Sequence, residues 1–325
     1  MTRRAAGVLL IGILAVLFLT GPVLAPNDPW RQFAGHAYAP PMPPRILHDG
    51  ALRRPFIYPL TVVDRMQRSF AEDRTHPREI RFFARGRLVS TDSNEPWLLL
   101  GGDPLGRDVF ARLLSAGRLS LGVAAGAVFF TLLLGSLAGA TAGFAGGRLD
   151  RILTAVADFA IVLPMTYAVL TLRAAMPLFL SPATIFWTMV VVMALATWPY
   201  PARGVRAIIA AERHKGYAEA AYAAGGTPLR ILLRHLLPAA TGHLAIQGFL
   251  LFPAFIFAEA TLSFVGLGFA EPSASWGVML QDAGRVSAMT EAPWLLSPAA
   301  AIVLTVLATH LLAADRNDGG ALTQH

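Results

Sequence analysis

The chain has 325 residues, of which 55% are hydrophobic and only 14% are charged. An ordinary soluble chain carries roughly 25% charged residues, so this composition disfavours a soluble enzyme and excludes a disordered or fibrous chain. There is no cysteine, which excludes disulfides, thiolate zinc sites and a cysteine nucleophile. The single lysine, Lys215, is followed by Gly216. A Walker A loop needs Gly-Lys-Ser/Thr, so ATP hydrolysis by that route is not expected in this chain.

Six stretches are long and apolar enough to cross a membrane, which takes about 20 residues each. They are 5–25, 119–147, 152–172, the stretch between Arg173 and Arg203, 238–268 and 292–314. The first stretch has two interpretations, a retained helix or a cleaved signal peptide. Pro26 follows it at once, and its length exceeds a usual signal core, so we favour the retained helix. Six spans place both termini on one side of the membrane.

Short basic loops set the orientation of such a chain. Arg3 and Arg4 precede the first span, Arg148 and Arg151 separate the second and third, and six basic residues follow the fourth. All three groups fall on one side, which we identify as the cytoplasm. The segment 26–118 is also rich in arginine, but a loop well beyond about 60 residues is translocated largely regardless of its charge.

The long extracytoplasmic segment is expected to form a small ordered subdomain rather than a linker. Residues 56–63 and 80–89 are apolar enough for short strands, and 84–87 fits a hairpin turn. In the second span, Gly135, Gly139 and Gly143 line one helix face, which allows close helix packing. That face packs either within the chain's own bundle or against a partner subunit.

The cytoplasmic segment 203–238 is too polar to cross a membrane, with six basic and two acidic residues. Its alanine-rich part, 216–224, predicts a helix, and Gly225-Gly226 predicts where that helix stops. Thr227 fits the N-cap and Pro228 the first position of a second short helix, 229–237, which is expected to end near Pro238. One interpretation of this helical pair is an inert amphipathic hairpin on the membrane surface.

The pattern Glu219-Ala220-Ala221-x3-Gly225-x9-His235-x-Leu237-Pro238 resembles the EAA loop of importer-type ABC permeases. The run 234–238 resembles the dipeptide/oligopeptide branch, the DppC/OppC family. Stretches 103–109, 143–150, 258–268 and 272–277 match the same branch. The resemblance covers roughly 103–314 and the first span, whereas 26–102 is longer than expected for the family.

This resemblance implies an all-α membrane protein with six transmembrane helices in a type I ABC importer permease bundle. The implied division of the chain is a first transmembrane helix at 1–25, an extracytoplasmic insert and entry helix at 26–117, a five-helix permease core at 118–314 and a cytoplasmic tail at 315–325. The core contains the cytoplasmic EAA coupling loop, 203–238. The implied location is the cytoplasmic (inner) membrane of a bacterium or archaeon, with several membrane passes.

The resemblance also implies a permease subunit of an ATP-driven, binding-protein-dependent importer, with peptides as solutes. The implied partners are a second permease in a heterodimer, two cytoplasmic ATPase domains, an extracytoplasmic solute-binding protein and the lipid bilayer, but not nucleic acid. ATP would be bound by the ATPase partner, so no cofactor, metal site or catalytic residue is expected in this chain. The residues expected to couple to the ATPase are Tyr217, Glu219, Ala220, Ala221, Gly225, Arg230, His235, Leu237 and Pro238.

Other functions fit parts of the sequence. An importer of this kind can take nickel or another small solute. A self-sufficient channel or secondary transporter predicts internal repeats or many intramembrane charges. A membrane-anchored enzyme or sensor would place its chemistry in 26–102. Asp158 and Glu259 lie inside predicted spans. Each is either a contact to a solute amine or a partner permease, or a structural hydrogen-bonding group, or a group nearer the membrane interface than the span bounds place it.

Overall fold

The computed structural model describes residues 3–48, 51–64, 68–84, 86–91, 96–162, 167, 171, 180–284 and 290–321. The chain divides into two compact units, which are described separately. Unit 1 combines Met1–Leu121 with Ala260–Ala308, and unit 2 combines Gly122–Glu259 with Thr309–His325.

Helices dominate the described residues. The α-helices are α1 (Arg3–Leu19), α2 (Gly21–Leu24), α3 (Val109–Ala145), α4 (Gly147–Val162), α5 (Pro182–Thr197), α6 (Pro199–Glu212), α7 (Gly216–Ala223), α8 (Pro228–Ile231), α9 (Thr241–Phe264), α10 (Trp276–Ala283) and α11 (Ser297–Ala321). A π-helical turn forms Leu232–Leu236, and 3₁₀ turns form Leu237–Ala240 and Pro293–Leu296.

Among the described residues, three helical stretches are long and apolar enough to cross a membrane: Val109–Ala145, Pro228–Phe264 and Pro293–Leu312. A fourth is counted if α5 and α6, which bend by 45° at Trp198, form one span. Ala5–Leu19 is apolar but shorter, because the helix of the first predicted span breaks at Thr20. In the third predicted span, α4 covers the beginning; residues 163–166, 168–170 and 172 lie outside the described part. The full set of six spans stays a prediction.

Six strands lie among the described residues between Arg45 and Thr91, so an all-α description is wrong for this part of unit 1. The strands are β1 (Arg45–His48), β2 (Ala51–Ile57), β3 (Leu60–Asp64), β4 (Ser69–Glu72), β5 (Arg78–Ala84) and β6 (Arg87–Thr91). They form an antiparallel sheet of order β1-β2-β5-β6 and a separate β3-β4 pair.

The predicted hairpin is confirmed, with Ala84 opposite Arg87 in the β5-β6 pair. The predicted strand 56–63 is divided into β2 and β3, because Pro59 lies between them and cannot donate to a ladder. Ile57, Ile80, Trp97 and Leu98 belong to the buried core of this subdomain. The described part of the segment therefore forms a small folded subdomain, as its apolar stretches predicted.

In unit 1, the stretch 103–109 that carried part of the resemblance contacts Glu271, the residue before the stretch 272–277. Arg107 donates through Nε to Asp103 Oδ2 at 2.6 Å and through Nη1 to Glu271 Oε2 at 2.7 Å. Arg112 is fully buried and donates through Nη2 to Glu271 Oε1 at 2.7 Å. Burial alone would raise the pKa of Glu271, but the hydrogen bonds from Arg107 and Arg112 outweigh it and lower the pKa below its usual range. These contacts tie the segment before α10 to the first turn of α3 and to the segment before it.

In unit 2, the glycine face of α3 packs against α6 of the same chain. An ideal Cβ on Gly139 would lie 2.3 Å from the Ala202 carbonyl oxygen, and one on Gly143 would lie 2.6 Å from the Arg206 carbonyl oxygen. Real Cβ atoms do not approach so closely, so these positions exclude larger residues. Of the two interpretations of this glycine face, the structure shows packing within the chain.

Candidate functional site

The alanine-rich helix predicted at 216–224 is confirmed as α7, and its small residues hold it against the bundle. Ala218 is fully buried, in a cluster with Val205 and Ile209 of α6 and with Ile231 and Leu232. Ala221 packs against the edge of the same cluster. A side chain larger than a methyl group would force α7 away from α6, so alanine at these positions permits the close contact.

The corner after α7 is a Schellman motif. Gly225 has φ +76°, and its N–H donates to the Tyr222 carbonyl at 2.9 Å. The N–H of Gly226 donates to the Ala221 carbonyl at 3.0 Å. These two bonds satisfy carbonyls that the helix end would leave without partners. The predicted glycine stop is confirmed, and its cause is the left-handed backbone at Gly225.

The second helix begins where it was predicted but does not end there. Thr227 has extended backbone and Pro228 opens the first turn, although the Thr227 side chain makes no capping hydrogen bond. Beyond α8, the helix passes through the π and 3₁₀ turns into α9, so that Pro228–Phe264 forms 37 helical residues. The predicted end near Pro238 is therefore wrong.

The π turn explains why Pro238 does not stop this helix. The N–H of Leu237 donates to the Leu232 carbonyl, five residues back. An inserted residue of this kind widens the turn, which makes room for a proline ring that also lacks an N–H. Leu232, Leu236 and Ala240 all remain in the buried cluster across the irregular turns.

The predicted coupling residues separate into an exposed group and a packed group. Ala221 and Leu237 are partly buried and pack against the cluster around Ala218. The remaining ones are exposed: Tyr217, Glu219, Ala220, Gly225, Arg230, His235 and Pro238. Sequence reasoning missed exposed apolar side chains beside them, notably Leu229 (65% exposed) and Leu233 (53% exposed). Their spacing of four residues on a helix was the available signal. We call the exposed residues of 217–235 the hairpin surface.

Polar contacts fix the start of α7. Tyr217 donates its hydroxyl to Glu212 Oε2 at 2.5 Å, and Lys215 Nζ donates to Glu212 Oε1 at 2.7 Å. The hydrogen bond to Glu212 raises the pKa of Tyr217 to about 12, so the phenol stays protonated at neutral pH. The Tyr217 hydroxyl therefore has a hydrogen-bond partner within the chain, at the start of α7.

Arginines of α6 and the following turn connect this region to α3 and α4. Arg213 Nη1 donates to the Phe144 carbonyl at 3.0 Å, at the C-terminal end of α3, where a cation is favourable. Arg206 forms a two-bond ion pair with Asp150, with Nη2 to Oδ2 at 2.7 Å. The sequence did not reveal these partners, which lie more than 50 residues apart.

The two carboxylates inside predicted spans have different surroundings. Asp158 Oδ1 accepts a hydrogen bond from Arg203 Nη2 and forms an ion pair with it. Each of these two side chains is 54% exposed. Glu259 is fully buried. Among the described residues, no three His, Asp or Glu side chains form a group that could hold a metal ion.

Residues 121–314 match the sequence model of a family described as binding-protein-dependent transport system inner membrane component. The chain is similar to the oligopeptide transport system permease protein OppC of Bacillus subtilis (strain 168), with 33% identity over 69% of this chain and 72% of the relative. The dipeptide transport system permease protein DppC of the same organism is 37% identical over 65% of this chain and 64% of the relative. The nickel transport system permease protein NikC of Escherichia coli (strain K12) is 31% identical over 74% of this chain and 84% of the relative.

Proposed function

Because the chain belongs to the binding-protein-dependent inner-membrane component family, as an ABC importer permease of the Opp/Dpp type, we propose that a separate ATPase drives it through the hairpin 203–238. The observation that carries this proposal is the α7 corner, which is exposed on one face and packed into the bundle on the other. In this proposal, the chain forms half of a translocation pore.

The hairpin surface has the composition of a protein-binding patch. Leu229 and Leu233 expose apolar area next to the cations Arg230 and Arg234, and Glu219 adds one carboxylate on α7. Exposed leucines beside charged groups suit a partner groove with an apolar floor and a charged rim. We assign ATPase contact to Glu219, Ala220, Arg230 and His235 on this surface.

The packed face would transmit the movement of the partner. A force on α7 reaches Ile231 and Leu232 through Ala218, because close-packed side chains transmit strain with little compression. Ile231 and Leu232 lie at the start of the helical stretch that ends at Phe264. The Schellman corner fixes the angle between the two helices, so Gly225, together with Ala221, Leu237 and Pro238, would act by positioning.

We propose the rest of the architecture on the same basis. The protein would cross the inner membrane six times, with both termini on the cytoplasmic side. The division would be a first transmembrane helix at 1–25, an extracytoplasmic insert and entry helix at 26–117, a permease core at 118–314 and a tail at 315–325. The folded β-subdomain supports an insert that is ordered outside the membrane.

The proposed partners follow from the family. A second permease would complete a heterodimer, two ATPase domains would bind ATP, and a solute-binding protein would deliver the solute outside. This chain would then hold no cofactor and catalyse no reaction. Peptides are the proposed solute, in line with the names of the OppC and DppC relatives. The NikC relative favours nickel as the alternative. Measuring whether the partner binding protein binds a peptide or Ni²⁺ separates the two.

Reversing the charge of Glu219 tests the coupling assignment. We expect Glu219→Lys to abolish uptake and to reduce the amount of ATPase that co-purifies with the chain, while the neutral Glu219→Gln has a smaller effect. The control is Glu79→Lys, which reverses an exposed carboxylate on the insert and should leave both quantities unchanged. Normal uptake by Glu219→Lys would show that this residue does not couple the chain to an ATPase.

A further inference from the structure

The end of β5 presents two exposed aromatic side chains, next to the turn into β6. Phe83 is 82% exposed and Phe82 is 55% exposed. Phe83 also has a φ of +55°, in the left-handed region that bulky side chains rarely adopt. Strained backbone of this kind is concentrated at functional sites. A ring that is strained and exposed adds little to the core of the subdomain, so we expect it to contact something outside the chain.

Further exposed apolar side chains lie at the same end of the sheet. β2 and β5 pair antiparallel, so the start of β2 and the end of β5 lie at one end. Leu52, near the start of β2, is 81% exposed, and Leu47, its partner in β1, is 59% exposed. At the opposite end, Ile57 is buried in the core of the subdomain. We call the first of these the apolar end of the sheet; it bears Leu47, Leu52, Phe82 and Phe83.

The β5-β6 turn of the apolar end lies where two predicted membrane spans end. Arg87, at this turn, donates through Nη1 to the carbonyl of Ala25 at 3.2 Å, and Ala25 is the last residue of the first predicted span. In the preceding turn of that span, a Cβ on Gly21 would lie 2.9 Å from the Cβ of Leu114. Leu114 lies five residues before the second predicted span. Both spans therefore reach the same membrane surface at this level, within about one or two helical turns.

The charge of the hairpin suits the headgroups of phospholipids. Residues 80–91 contain three arginines and no carboxylate. Arg81 is exposed, one residue before Phe82. Guanidinium groups bind phosphate oxygens through paired hydrogen bonds, and aromatic rings are enriched at the headgroup level of membranes. Aromatic residues and arginine are also common in protein interfaces, but the level of this turn at the ends of two spans favours lipid.

We propose that the apolar end of the sheet is a membrane anchor. Phe82 and Phe83 enter the headgroup layer of the extracytoplasmic leaflet, and Arg81 binds lipid phosphate. The anchor holds the insert against the membrane beside the first span. This assignment adds a lipid-binding surface to the proposed function and does not involve the ATPase. It rests on the proposed topology, in which the first predicted span crosses the membrane and ends outside the cytoplasm.

Fluorescence quenching by labelled lipids tests the anchor, and the absence of native cysteine makes single-site labelling clean. Ala84→Cys places a small fluorophore beside both phenylalanines. Glu79→Cys is the matched control, exposed on the same strand about 17 Å from position 84. Val16→Cys, at an exposed position of α1, reports on the first span. The assembled transporter is reconstituted in vesicles whose lipids carry a nitroxide on the headgroup or on the acyl chain.

We expect headgroup nitroxide to quench the label at position 84 at least about twofold more strongly than the label at position 79. Equal quenching at the two positions would overturn the inference. A label at position 84 that responds to aqueous iodide but not to nitroxide lipids would overturn it, because the apolar end would then lie in water. Protection from both quenchers would also overturn it, because a protein partner would then cover this end.

The label at position 16 separates failure of the anchor from failure of the proposed topology. If acyl-chain nitroxide quenches it, the first span stands, and any of the contrary results at position 84 overturns the anchor alone. Quenching at position 16 by aqueous iodide would refute the first span and the anchor with it. Co-purification of the ATPase, which decides the proposed function, is measured on the same preparation.

Replacing the two rings gives a second measurement. Because both are exposed, the double variant Phe82→Ser/Phe83→Ser should leave the yield unchanged and reduce quenching at position 84 to the level at position 79. The double variant Phe82→Trp/Phe83→Trp should retain the quenching, because tryptophan also suits the headgroup level. Quenching that persists in the serine variant, or that is lost equally in both variants, would contradict the inference.

Discussion

Gly225 is the position where a single substitution should most directly disturb the α7 corner. Its φ of +76° lies in the left-handed region, where a Cβ costs about 1–2 kcal/mol and a β-branched side chain costs more. An added Cβ would meet no heavy atom within 4 Å, so the penalty comes from the backbone alone. A penalty of about 2 kcal/mol would reduce the population of the correct corner roughly thirtyfold.

We expect Gly225→Val to abolish most uptake and to reduce ATPase co-purification at unchanged yield of the chain. Gly225→Asn should retain more activity, because asparagine tolerates the left-handed region better than other residues. Gly216→Ala is the control at the other end of α7, where an added Cβ also meets nothing within 4 Å. Uptake by the valine variant at the level of the unmodified chain, or equal loss in the asparagine variant, would refute the backbone argument.

Two further predictions concern stability, measured by thermal unfolding of the detergent-purified chain. Gly139→Ala should lower the midpoint temperature of unfolding, because its Cβ would lie 2.3 Å from the Ala202 carbonyl oxygen. The control Gly242→Ala should not lower it, because a Cβ there would meet no heavy atom within 4 Å. Equal midpoint temperatures for the two variants would contradict the packing argument. Burial raises the pKa of Asp108 to about 6, so the folded chain binds more protons than the unfolded chain from about pH 4 to 6. Stability should therefore fall as pH rises through that range, and Asp108→Asn should remove this part of the slope; an unchanged slope would contradict it.

Local signals in the sequence predicted local structure well. The alanine run fixed α7, and the pair Gly225-Gly226 fixed its end, because helix propensity and left-handed backbone are properties of the residues themselves. The hairpin of β5 and β6 was also predicted from local residues, the turn sequence at 84–87. The glycine face of α3 predicted close packing, although only the structure showed that α6 is its partner.

Features that depend on distant residues were not predictable. The helix continues past Pro238 through an inserted π turn, and Leu232, Leu236 and Ala240 stay buried in a cluster with Val205 and Ile209 of α6, which no local pattern reveals. The partner of Asp158 lies 45 residues along the chain, at Arg203. In unit 1, Arg107 and Glu271 are separated by 164 residues, so their charges gave no indication of a shared site.

The central claim is that a separate ATPase contacts the hairpin surface. Ala220→Cys introduces a thiol that is exposed on this surface, in a chain that has no other cysteine, and Ala51→Cys on the insert is the control. Each is loaded with a photoactivatable maleimide in the assembled transporter and irradiated. We predict a cross-link to the ATPase subunit from position 220 and none from position 51. Import-competent transporter that gives no cross-link from position 220 would contradict the claim.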